Sequence, residues 1–271
     1  MPLAVYIILF VFGLVFGSFF NVLIYRLPLD KSIVFPPSAC PKCGARIKWY
    51  DNIPILSWII LRAKCRECKT LISVRYPLVE LAGGAIFAGV PLLGHAVGYT
   101  RVMPEQITAW HDVIAIAVVS IMFILLVIDF QHQIIPDQLN VAMLVLGWLG
   151  VFVLSPGYSP GWLSSLIGMF VLSLFFLTFA LAVGGFGMGD VKLAVGMGAL
   201  FGWQVLAVAA MLSFFIGGIF AASFAVYLLA KKRLKSRIPI PFGPYLAVAT
   251  FISLFWGQKI LSWYLGFFSP R

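Results

Sequence analysis

Charge is scarce in this chain. Charged residues make up 10% of its 271 positions and apolar residues 62%, where a soluble domain carries about 25% charge. That excludes a single water-soluble globule. Only nine residues are acidic, so each carboxylate can be asked for its purpose. Cysteine occurs four times, always between Cys40 and Cys68, which excludes a disulfide framework spread along the molecule. The opening "MPLAVYIILFVFGLVFGSFF" has no basic leader region and no small-residue cleavage site before a polar domain. It is expected to be a retained first span rather than a removed signal peptide. A glycine-rich dinucleotide fingerprint is also missing, so no independent cofactor pocket can be read.

What the chain does have is apolar runs that reach the ~20 residues of a spanning helix. Eight are expected, at 3–25, 78–98, 108–129, 138–155, 161–184, 190–201, 204–230 and 242–266. The sixth is short and glycine-rich and ends at Gly202. Of 19 Lys and Arg, ten lie from Arg26 to Arg75 and five in "KKRLKSR" at 231–237. Basic residues concentrate on the cytoplasmic side of spans, and only an eight-span count with the N-terminus outside puts both blocks there. The expectation is an all-α multi-pass membrane protein of about eight transmembrane helices. A cytoplasmic loop domain at 26–77 separates the first helix, 1–25, from a transmembrane part at 78–271. The basic blocks read as attraction to anionic membrane lipid, not as a nucleic-acid site.

Two aspartates stand at span ends on that same side. Asp129 closes the third span in "LLVIDFQHQIIPDQLN" and Asp190 opens the sixth in "GGFGMGDVKLA". Ionisable groups at such depth mark functional sites by default. If they converge, one keeps its proton while the other stays charged. The charged one can take a proton from water and the neutral one can protonate a carbonyl, which is metal-free peptide hydrolysis. The helix dipole favours an anion at Asp190. Gly184, Gly185, Gly187 and Gly189 permit backbone angles and close approach that a Cβ would forbid, so a substrate strand can lie against this loop. The plainer reading makes Asp190 a helix cap; a partner at Asp129 tips the choice to catalysis. Asp137 is the rival partner, but "IPDQLN" reads as a cap at the start of the fourth span. His132 reads as a solvated loop residue, and Asp112 beside His111 as interfacial.

The cysteines form Cys40-x2-Cys43 and Cys65-x2-Cys68. Two such knuckles can present four thiolates tetrahedrally to one structural Zn²⁺, and a cytoplasmic setting disfavours disulfides. A redox pair and an iron–sulfur centre are the competing uses. Between the knuckles, Trp49, Ile53, Ile55, Leu56, Trp58 and Ile59 are too apolar for a solvated linker and are expected to pack on the membrane surface or other spans. Asp51, Asn52, Arg62, Arg75 and Glu80 add polar groups where this loop meets the second span.

Together these stretches resemble the type IV prepilin peptidases. The likeness runs through "GSFFNVLIYRLP", the paired knuckles, "NIPILSWIILR", "RYPLVEL", "IDFQHQIIPDQL", "GMGDVKLA" and "IPFGPYLA". The resemblance implies a bifunctional enzyme of the bacterial inner membrane. It would cleave the basic leader of prepilins or pseudopilins at the cytoplasmic face, then N-methylate the new terminus with S-adenosylmethionine. It places the proteolytic pair on Asp129 and Asp190, with Gly187 and Gly189 in the active-site loop. It places zinc on Cys40, Cys43, Cys65 and Cys68. One departure stands out: the family has glycine where "LRAKC" has Ala63. If that position needs positive φ, alanine is strained; if it needs only smallness, alanine is tolerated. The resemblance therefore carries the peptidase further than the methyl transfer. Outside the resemblance, two other classes fit the same residues. One is a proton-coupled transporter relaying protons through the aspartates, although no repeated halves are visible. The other is a membrane anchor whose zinc loop binds a partner.

Overall fold

Lipid does not drive apolar helices together, so spanning helices associate where small residues let backbones approach. The first helix and the one after the cysteine loop do this. In the computed structural model, which describes residues 2–97, 105–154, 161–183, 187–231 and 242–267, α1 is Leu3–Arg26 and α3 is Arg75–Val97. A Cβ on Gly13 would lie 2.5 Å from the Gly83 carbonyl oxygen, and one on Gly17 2.6 Å from the Glu80 Cα. Bare backbone is thus the contact surface. Asn21 adds a side-chain amide donated to the Tyr76 carbonyl at 3.1 Å.

Between them, a 3-10 turn at Leu27–Leu29, another at Trp49–Asp51 and the short α2, Leu56–Ile60, frame the cysteine loop. The loop's apolar residues divide. Trp58 is half-buried and donates its indole N–H to the Ile72 carbonyl. Trp49, Leu56, Ile59 and Ile60 stay exposed, so they do not pack on the spans of their own unit. Residues 1–98 form one compact unit and 99–271 a second.

The second unit contains α4, Glu105–His132; α5, Asp137–Leu154; α6, Trp162–Ile167; a π-helical turn, Gly168–Leu172; α7, Ser173–Val183; α8, Met188–Ala230; and α9, Gly243–Gly266. The first half of α8 is its centre: Leu193, Met197 and Leu200 are almost fully buried. At Gly202 the backbone takes φ 67°, ψ 175°, a region open essentially to glycine alone. The helix breaks there, where the sixth and seventh spans were expected to part. The π turn packs on this break: a Cβ on Gly168 would lie 2.8 Å from both Gly202 C and Trp203 N.

Six helical stretches among the described residues are long and apolar enough to cross a membrane; Asp137–Phe152 is a shorter apolar helix, and one of the six, Met188–Phe224, contains the Gly202 break. With the break, the eight expected apolar segments are all present, and no strand occurs among the described residues. Arg101, Gly184, Gly185 and residues 232–237 of the second basic block lie outside the described residues.

Candidate active site and metal centre

Asp129 sits one turn before the end of α4. Gln133, at φ 55°, donates its N–H to the Asp129 carbonyl at 2.9 Å and ends the helix. Asp190 is the third residue of α8. Both are buried, 6% and 7% exposed.

Each carboxylate is held by a glycine N–H at the start of a helix. The Gly187 N–H donates to Asp190 Oδ2 at 3.2 Å, while the Asp190 N–H donates to the Gly187 carbonyl. This is half of a capping box: Asp190, at the third helical position, reaches back to the Gly187 N–H, and glycine has no side chain to return the bond. Asp190 is thus not the cap residue itself, but one of its oxygens serves the helix start. Its other oxygen, Oδ1, is buried and has no hydrogen-bond partner among the described residues. The cap orients the group and leaves Oδ1 for other work.

Asp129 is held from farther away. Gly243, first residue of α9, donates its N–H to Asp129 Oδ2 at 3.0 Å. The first N–H groups of a helix have no intrahelical acceptor, and Pro244 brings none, so the Gly243 donor is left for a carboxylate. Because Asp129 also faces a helix N-terminus, the dipole that was expected to single out Asp190 acts on both.

Two contacts draw the acids toward each other. Val191 shares an apolar cluster with Phe176, Phe214 and Phe242, which binds the start of α8 to the start of α9. A Cβ on Gly189 would lie 2.8 Å from the Ile135 Cβ, so the loop after α4 lies directly on the α8 N-terminus. The Asp129 charge consequently acts on Asp190. Gly189 serves close approach; Gly187 is the cap.

Asp137 does not join the pair. It opens α5 and accepts both hydrogen bonds of Lys192, at 2.8 and 2.7 Å, in an exposed ion pair. His132 is exposed at the end of α4. Asp112 is 4% exposed: seven residues after the start of α4, its side chain is turned inward among helices.

The four cysteines do meet. Their Sγ atoms all lie within 4.8 Å of one another, Cys40 and Cys68 at 3.8 Å. Zn–S bonds of ~2.3 Å in a tetrahedron set sulfurs about 3.8 Å apart, so the donor set fits such an ion. The two knuckles are built alike. Gly44 and Lys69, following each Cys-x2-Cys, take φ 72° and 57° and donate to the Cys40 and Cys65 carbonyls. Cys40 and Cys65 in turn donate to Ala45 and Thr70, and single bridges pair Ala39 with Arg46 and Lys64 with Leu71. The Cys43 and Lys42 backbone N–H groups lower the Cys40 thiol to about 6 against burial and favour a thiolate ligand. The Thr70 N–H acts likewise on Cys68, but burial and hydrogen bonds with the other three thiols push it up to about 11. Beside the cluster, Arg66 grips Asp51 with two nitrogens, at 2.8 and 2.5 Å, which keeps the Asp51 carboxyl below its ordinary range.

Sequence reading missed Gly243 as a site residue, although "FGPY" carried the signal of a Gly-Pro helix start. It also missed a cavity of about 550 Å³ beside the cysteines.

Comparison with known proteins follows this division. A model of the bacterial peptidase A24 N-terminal domain matches residues 11–93, and the type IV leader peptidase family model matches residues 116–222. A prepilin leader peptidase/N-methyltransferase of Aeromonas salmonicida is 35% identical over 98% of this chain and 95% of its own length. Proteins of the same name from Stutzerimonas stutzeri and Pseudomonas aeruginosa are 34% and 35% identical over 98% of this chain and 96% and 95% of theirs. No solved structure matches the chain significantly.

Proposed function

Because the chain belongs to the type IV leader peptidase family, we propose that it cleaves the leader of prepilins or pseudopilins with Asp129 and Asp190 and then N-methylates the new terminus. The observation that carries the reading is the pair of buried carboxylates, each fixed through one oxygen by a glycine N–H. Such a pair shares a proton. The ionised carboxylate takes a proton from water as its oxygen attacks the scissile carbonyl. The protonated one gives its proton to the carbonyl oxygen. On collapse, a hydroxyl of the gem-diol returns its proton to the second carboxylate, the leaving nitrogen receives the proton held by the first, the C–N bond breaks, and the pair is restored.

The charge distribution supports an N-terminus outside and an active site at the cytoplasmic face of a bacterial inner membrane. Ten basic residues from Arg26 to Arg75 lie on one connection. Residues 26–77 carry the metal and the methyl-transfer part, and 78–271 the peptidase. Cys40, Cys43, Cys65 and Cys68 hold Zn²⁺ as a structural ion, since four thiolates leave no open position for substrate. S-adenosylmethionine supplies an electrophilic methyl group when bound.

The test is incubation of the purified protein with a synthetic prepilin and methyl donor, followed by mass measurement. Mature mass plus one methyl group is expected. An uncleaved prepilin overturns the peptidase reading, and mature mass without the methyl overturns the second activity.

A further inference from the structure

We infer that the cavity beside the cysteine cluster is the binding site for the methyl donor, an adenosyl sulfonium. This rests on the methyl-transfer reading above. The cavity lies wholly within the first unit, and at about 550 Å³ falls in the size range of sites for small cofactors.

Its lining is divided as the ligand is. Trp58, Tyr76, Tyr25, Ile53 and Ile72 line it with aromatic and aliphatic surface, Arg46, Lys48 and Arg75 bring cations, and Asp51, paired with Arg66, and Glu67 bring carboxylates. Glu80 brings a buried carboxylate whose contacts are neutral: it accepts the Ile55 N–H at 2.7 Å and a hydrogen bond from Ser18. A purine fits the aromatic residues, an α-carboxylate the cations, and a sulfonium the buried Glu80 carboxylate.

The wall beside Glu80 is strained. Ile55 takes φ 62°, ψ −51°, and the Leu56 N–H reaches the Pro54 carbonyl two residues back. A β-branched residue at positive φ in so tight a turn is unfavourable. Strain of this kind gathers at ligand clamps, and Glu80 is the group that pins it. In the transfer itself, the new terminal amine attacks the methyl carbon. The N–C bond forms as the S–C bond breaks, its electron pair stays on sulfur, and one amine proton passes to water.

Binding of S-adenosylmethionine and S-adenosylhomocysteine is measured by equilibrium dialysis on the detergent-purified full chain and two variants. Glu80→Gln keeps an acceptor for the Ile55 N–H and removes the charge; Ile53→Trp keeps the charge and fills volume. Metal content and elution profile check their folding. Each variant is expected to lose at least about tenfold in donor affinity. In Glu80→Gln the neutral-sulfur product should lose less than the donor. Unchanged donor affinity in both folded variants overturns the site while methylation stands. Displacement of the donor by a synthetic prepilin gives the cavity to the peptide and overturns it too. An unaltered protein that neither binds donor nor methylates overturns the functional reading, and the site with it.

Discussion

The Gly243 N–H holds Oδ2 of Asp129 at 3.0 Å across 114 residues of sequence. The position tolerates no side chain, because a Cβ there would lie 2.6 Å from that oxygen. Gly243→Ala must displace the carboxylate from the N–H that holds it. We expect it to lower leader cleavage by about the 10²-fold that misplaced catalytic groups cost. Gly218→Ala, also in a helix but with nothing within 4 Å of a new Cβ, is the control and should retain activity. Equal activity in the two variants would remove Gly243 from the site.

Capping and catalysis at Asp190 separate by substitution. Asparagine keeps an oxygen for the Gly187 N–H, so Asp190→Asn should cost less than the ~1 kcal/mol of a lost cap. Cleavage should fall by about 10²–10⁴-fold, the range for a general acid or base. Asp129→Asn should match it. Thermal unfolding measured beside cleavage tells the two roles apart: a large loss of stability with residual activity would leave only the cap.

Asp137 predicts the opposite. Its ion pair with Lys192 has side chains 65% and 51% exposed, and such pairs contribute about 0–1 kcal/mol. Asp137→Asn retains one hydrogen bond to Lys192. Cleavage within about threefold of the unaltered protein is expected on that scale; a loss as deep as that of Asp129→Asn would make Asp137 the true partner.

Asp129 and Asp190 were legible because acids are rare here, and a carboxylate at the end of an apolar run needs a reason. Gly202 was legible because it closes a glycine-rich run before Trp203. Gly243 was not, since a backbone N–H donor has no side-chain signature and its acceptor lies on another helix. The burial of Asp112 was hidden for a related reason: nearness to a helix end does not say which face turns inward. The cavity depends on Ile55 bending against its own preference because Glu80, 25 residues on, holds its N–H. No local pattern announces such a long-range override of propensity.

Metal removal should act on the loop first. Four thiolates contribute folding energy to a segment with little core of its own, and its cleavable residues Arg46, Lys48 and Arg66 are already exposed. Chelation is expected to speed tryptic cutting at these residues at least about tenfold, and zinc should restore protection. Peptide mapping by mass would show it. Unaltered cutting rates would mean that the loop stands without its ion.

Ala63 takes φ 56° directly after Arg62 at 50°, the positive φ on which the alanine-for-glycine exchange turns. The turn is held from both sides: the Ala63 N–H donates to the Trp58 carbonyl at 2.8 Å, and the Ile72 N–H to the Ala63 carbonyl at 2.7 Å. The chain cannot relax the angle without giving up bonds that frame Cys65. A left-handed L-residue costs about 1–2 kcal/mol, part of which glycine returns through its greater freedom when unfolded. Ala63→Gly should therefore gain about 1 kcal/mol. Since metal binding and loop folding are one equilibrium, that gain should read as zinc held about fivefold more tightly against a competing chelator. Weaker retention in the glycine variant would mean that the methyl group contributes more packing than the angle costs.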